Sequence, residues 1–164
     1  MDLNFTTKSQ EALSAAVRMA ADRGNAHVEP PHLLAALLAQ GEGIALALLD
    51  GVGVDVTELA AAVAGQVDAL PSASGSSVSA PQLSNEAYRV LNAAQSLASE
   101  RGDEFISTEH ILVGLAQSDA DGELLSSRGA TPVALLDALN NLRGSSRVSS
   151  ADPEGTFQAL EKYG

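Results

Sequence analysis

The chain has 164 residues, 45% of them apolar but only 3% aromatic, no cysteine, and a net charge of −12. That length allows one well-buried domain or two small halves sharing a core, and the core must be built from Ala, Leu and Val, which favours an all-α class. The charge argues against sequence-independent binding of nucleic acid and against anionic membrane surfaces, and the missing cysteines exclude disulfides, thiolate zinc sites and thiol catalysis.

Taken in order, Thr6 or Thr7 is placed to cap a first helix running to about Arg23, with Leu13, Ala16, Val17 and Ala20 as its buried stripe. Gly24 and Asn25 then stop it. Val28 to Pro31 is extended, and a second helix, about Pro31 to Gln40, buries Leu33, Leu34, Leu37 and Leu38. Gly41 to Gly43 breaks it. A short third helix follows over about Ile44 to Asp50. Asp55 caps a fourth, whose apolar face carries Leu59, Val63, Val67 (or Gln66) and Leu70. The small, polar, proline-bounded stretch Pro71 to Pro81 has nothing to bury and reads as a flexible linker.

Beyond that linker the chain repeats itself. His27 to Ala39 is echoed by Phe105 to Ala116, so that His32 matches His110, Leu34 matches Leu112 and Leu37 matches Leu115, each 78 residues apart. Leu13/Leu91, Ala16/Ala94, Ala20/Ala98, Arg23/Arg101 and Gly24/Gly102 keep the same offset. A fifth helix covers Ser84 to Arg101, a sixth is capped by Ser107 or Thr108, and a seventh spans about Gly122 to Arg128. The offset there falls to 76, matching Gly53 to Gly129. An eighth helix opens on Thr131 and Pro132 and carries Leu135, Leu136, Leu139 and Leu142. The predicted architecture is therefore all-α: two four-helix repeats, 1–70 and 83–143, related by a pseudo-twofold axis, with the linker 71–82 between them. Residues 144–164 form a C-terminal linker whose amphipathic end, Thr156 to Gly164, reads as the approach to a further domain.

The His32 and His110 rings stand in the first turn of equivalent helices rich in Leu or Ile, so a structural role is expected of both, each bonded to a neighbouring loop. No HExxH pattern or third ligand accompanies them, and neither a metal site nor a catalytic residue is predicted. A nucleophile elbow is also lacking. Asp103, Glu104 and Glu109 bracket the loop before the sixth helix, where a carboxylate at Glu109 suits the helix dipole. On the fifth helix Val90, Ala93 and Leu97 form a second apolar row beside the core stripe of Leu91, Ala94 and Ala98.

Two all-α units with the helix start Thr108-Glu109-His110-Ile111-Leu112 and its partner Pro30-Pro31-His32-Leu33-Leu34 resemble the Clp N-terminal repeat, which fronts AAA+ unfoldases and disaggregases. Glu29-Pro30-Pro31 before His32, and the terminal Ala159 to Gly164, are most similar to the ClpB-type disaggregases. The resemblance implies a double Clp N-terminal domain that binds exposed apolar segments of unfolded or aggregated client proteins. It also implies a polar patch at Thr6, Asp103 and Glu109, and an apolar groove at Val90, Ala93, Leu97 and His110. The alternative it implies is an adaptor-docking or regulatory module. No Gly-x-x-x-x-Gly-Lys-Ser/Thr stretch occurs, so the chain is not expected to be an enzyme. ATP and magnesium are expected only of a longer protein with a hexameric AAA+ ring, a coiled-coil insertion and a cytoplasmic location, working with a DnaK-type chaperone system. Neither a nucleic-acid nor a membrane partner is expected.

Overall fold

The computed structural model describes residues 4–41, 43–72 and 80–143. Its first half contains α1 (Thr7–Asp22), β1 (His27–Val28), α2 (Pro30–Ala39), α3 (Ile44–Gly51) and α4 (Val56–Asp68). The second half contains β2 (Gln82–Leu83), α5 (Asn85–Glu100), α6 (Thr108–Ala116), α7 (Gly122–Ser126) and α8 (Pro132–Arg143). The fold is all-α, with the eight expected helices among the described residues. The C-terminal linker and most of the linker between repeats, 73–79, lie outside those residues.

The caps follow from local chemistry. Thr6, rather than Thr7, accepts from the Ser9 amide at 3.2 Å, Asp55 from Glu58 at 3.1 Å, Ser84 from Ala87 at 3.0 Å and Thr131 from Ala134 at 3.1 Å. Each satisfies an amide that the first helical turn leaves unpaired. Helix α2 starts on Pro30, one residue earlier than its predicted start, because Pro30 and Pro31 both suit the first turn. Helices α1 and α5 both stop before a left-handed glycine, Gly24 at φ 72° and Gly102 at φ 75°, a conformation that would strain any side chain there.

Helices α2 and α6 form the centre. Every residue of α6 is buried, and it packs against α5, α8, α3, α2, α7 and α1. Such a helix must be apolar all round, which is why Ile111-Leu112-Val113-Gly114-Leu115-Ala116 shows little amphipathic pattern. The outer helices bury one stripe each. In α1 that stripe is Ser9, Ala12, Ala16 and Ala20, spaced three or four apart. Val17, expected on it, is 36% exposed, and Leu142 of α8 is 43% exposed, because each side chain falls beyond the edge of its helix's packed face.

A feature the sequence pattern did not predict joins the halves. β1 and β2 pair in parallel, His27 opposite Gln82 and Val28 opposite Leu83. A second parallel bridge links Phe5 and Ile106. Leu83 and Ile106 are the repeat equivalents of Phe5 and Val28, so the two pairings are one contact used twice. The Thr6 amide donates to the Ile106 carbonyl at 3.0 Å, and the Ser84 amide to Val28 at 3.1 Å. Each half therefore lends its first extended residues to the other.

Candidate functional site

Two places carry the residues singled out above. The first is the polar start of α6. The Ser107 amide donates to His110 Nδ1 at 2.9 Å, so that ring nitrogen carries no proton and Nε2–H donates to Asp103 Oδ2 at 2.8 Å. The Ser107 hydroxyl donates to Glu109. Thr6 joins this loop through its bond to Ile106 and also donates from its hydroxyl to Ser9 Oγ at 3.1 Å. All of these groups are inside: Thr6 and His110 are fully buried, Glu109 is 2% exposed and Asp103 9%. Thr6, Asp103, Glu109 and His110 are thus brought together, but as an internal network rather than as an open face.

The first half repeats the network in neutral form. The Glu29 amide donates to His32 Nδ1 at 2.9 Å, and His32 Nε2–H donates to Asn25 Oδ1 at 2.9 Å. The Asn25 amide in turn donates to the Pro71 carbonyl at 2.8 Å. Asn25 stands where the second half has Asp103, and Pro31 where it has Glu109. Burial holds the His32 ring below the usual histidine range, against the pull of Glu29.

The second place is a groove between α5 and the C-terminal end of α6, with a volume of ≈ 200 Å³. Val90 and Ala93 form its apolar floor with Gly114, and Glu86, Arg89, Gln117, Ser118 and Asp119 stand around it. Val90 is buried and Ala93 half-buried. Leu97, one turn further along α5, is half-buried against the core. Gly114 sets the depth of the groove, since a Cβ there would lie 2.6 Å from the Val90 carbonyl oxygen. A glycine inside a helical pattern is the signal that pointed to a close approach, and sequence reasoning passed over it. A second groove, ≈ 190 Å³, lies in the first half among Met19, Arg23, Ala35, Leu38, Ala60 and Val67.

One buried group stands apart from both places. Asp121 has no exposed surface, neither carboxylate oxygen has a hydrogen-bond partner, and burial pushes its pKa up to about 7. Gln66 of α4, whose amide donates to the neighbouring Ala120 carbonyl at 3.4 Å, has its own Oε1 buried and unpaired. Sequence offered no sign of this. Among the described residues no group of three or more His, Cys, Asp or Glu is placed to hold a metal ion, and no single helix is long and apolar enough to cross a membrane.

The doubled buried histidine, the crossed strand pairs and the two central helices are features of a duplicated unit, and residues 4–147 match the Clp repeat (R) N-terminal domain. The chain belongs to that family. It is 49% identical over 161 residues to the chaperone protein ClpB of Mycobacterium bovis, covering 98% of this chain and 19% of that protein. It therefore spans about a fifth of the length of such curated relatives. Among solved structures it superposes on the Hsp104 N-terminal domain from Candida albicans with a TM-score of 0.80 at 20% identity, over 92% of this chain and 99% of that one. The N-terminal domain of the chaperone ClpD from Arabidopsis thaliana gives a TM-score of 0.63 at 27% identity, over 86% and 96%. The likeness to ClpB proteins agrees with the resemblance drawn from Glu29-Pro30-Pro31 and the terminal residues.

Proposed function

We propose that this Clp repeat domain engages clients for an ATP-dependent disaggregase, weakly binding exposed apolar segments of unfolded or aggregated proteins. The observation that carries the reading is the α5–α6 groove, in which Val90, Ala93 and Gly114 make an apolar floor within a charged and polar rim, continued along α5 by Leu97. A groove of this size takes one or two side chains. Little area is buried, and the client loses conformational entropy on docking, so affinity is low by design of the surface. Several copies arranged on a ring would recover it through effective concentration. The buried set Thr6, Asp103, Glu109 and His110 then acts from beneath, fixing the start of α6.

In this reading ATP and magnesium are held by an AAA+ ring outside this chain, hexameric, cytoplasmic and working with a DnaK-type chaperone system. The domain itself performs no catalysis. A second reading, docking of a folded adaptor, is favoured by the first-half groove, where Met19, Leu38 and Val67 offer an apolar cleft separate from the α5–α6 groove.

Backbone amide shifts of the labelled domain, titrated with a permanently unfolded protein and with the same protein folded, test the proposal. Shifts at Ala93, Leu97, Gly114 and Gln117 with the unfolded form alone are expected. Equal shifts with the folded form, or shifts confined to Met19, Leu38 and Val67, would sink it in favour of adaptor docking.

A further inference from the structure

The repeats end their long helices on equivalent arginines, Arg23 capping α1 and Arg101 capping α5. Their surroundings differ. Arg23 Nη1 is paired with Asp68 Oδ1 on α4. The position of the second repeat that aligns with Asp68 is Gly144, which has no carboxylate to offer. Arg101 makes no ion pair among the described residues, and its Nε is buried without a hydrogen-bond partner. Asp103, the nearest buried carboxylate in sequence, is already taken by His110. Among the described residues, then, a partly desolvated guanidinium is left with no counter-ion, on a chain whose net charge is −12.

Its place on the helix gives that charge a use. Ala93, Leu97 and Arg101 follow one another at intervals of four residues, so they share one stripe of α5. The stripe runs from the apolar floor of the groove to the unpaired cation. We propose that Arg101 is a specificity-determining residue of the client site, accepting an Asp or Glu side chain that flanks the apolar segment of the client. The guanidinium fork matches a carboxylate bidentately, and its weak hydration makes it cheaper to desolvate than an ammonium. The first half lacks the device because Arg23 already pairs with Asp68 through Nη1. This inference rests on the client-engagement reading of α5.

Three peptides test it, each acetylated and amidated so that no terminal carboxylate competes. All share one apolar core, flanked by Glu, by Gln or by Lys, and binding to the whole chain is followed by fluorescence anisotropy at low salt. The Glu peptide should bind roughly five- to tenfold more tightly than the Gln peptide, and the Lys peptide more weakly than either. The preference should vanish in Arg101→Gln, persist in part in Arg101→Lys, survive in Arg23→Gln and shrink as salt is raised. Thermal melts of each variant report folding separately. Equal binding of the Glu and Gln peptides to the wild-type chain, or a Glu preference that persists in Arg101→Gln, would overturn the anchor while leaving client engagement standing. Failure of all three peptides to bind would overturn client engagement and the anchor with it. A Glu preference that emerges only when Asp152 and Glu154 are changed to Asn and Gln would assign the Arg101 fork to the chain's own C-terminal segment instead.

Discussion

His110 donates to Asp103 across 2.8 Å, and its twin His32 donates to Asn25 across 2.9 Å, so one fold uses a carboxylate and an amide for the same bond. The comparison predicts how far Asp103 can be changed. Asp103→Asn keeps an acceptor for His110 Nε2–H and should cost about 1 kcal/mol or less, whereas Asp103→Ala orphans a buried donor and should cost ~2–4 kcal/mol. Urea unfolding of the two variants, compared at constant m-value, measures both.

Asp121 makes stability depend on pH in an unusual direction. Its native pKa of about 7 lies above the ordinary aspartate value of 3.8, so between those values the folded chain binds more proton than the unfolded one. Its contribution is complete below pH 3.8, is lost as pH rises to about 7 and is flat above that. Asp121→Asn should therefore gain little near pH 4 and gain on the order of a few kcal/mol at pH 8. A gain independent of pH in chemical denaturation would contradict this assignment. His32 acts oppositely. Its lowered pKa means that the unfolded chain takes up proton first as pH falls through 6.5, and stability is lost on that side.

Gly114→Ala tests the closeness of α5 and α6. Alanine favours the helix by about 1 kcal/mol, but its Cβ meets the Val90 carbonyl oxygen at 2.6 Å and the backbones must part. A lower melting temperature is expected, together with weakened client binding. An increase would show that the helices yield without cost.

Gln117→Trp covers the groove from an exposed position outside the core. Client binding should fall at least fivefold with an unchanged melting temperature. Unaltered affinity would place the client elsewhere on the domain.

The repeat made most of this architecture legible. Caps such as Ser84, Asp55 and Thr131 bond an amide three residues on, and stops such as Gly24 and Gly102 act through their own backbone, so local sequence suffices to read them. The strand pairs were not legible, because Val28 and Leu83 contribute two-residue segments too short to show alternation and joined only by tertiary packing. Burial of Asp103 and Glu109 left no sign in the sequence for a related reason. Asp103 and Glu109 have the composition of a surface loop, and bonds such as those from His110 and Ser107 accommodate them inside. Val17 shows the limit of helical spacing, which gives the direction of a face but not its width. Asp121 left no trace, since nothing in Ser118-Asp119-Ala120-Asp121 distinguishes the acid that ends inside from the one that stays in water.

The crossed pairing of Phe5 with Ile106 and of Val28 with Leu83 bears on what the smallest folding unit is. Neither repeat contains both partners of either contact. One repeat expressed alone would keep its helices but expose a strand edge and half of a shared core. Two copies of the same repeat, however, could exchange those strands across a true twofold axis and close each other, as an isologous dimer does. The covalent tandem makes that closure intramolecular and independent of concentration. It also frees the copies to diverge, which is how one can hold Asn25 and Asp68 where the other holds Asp103 and Gly144.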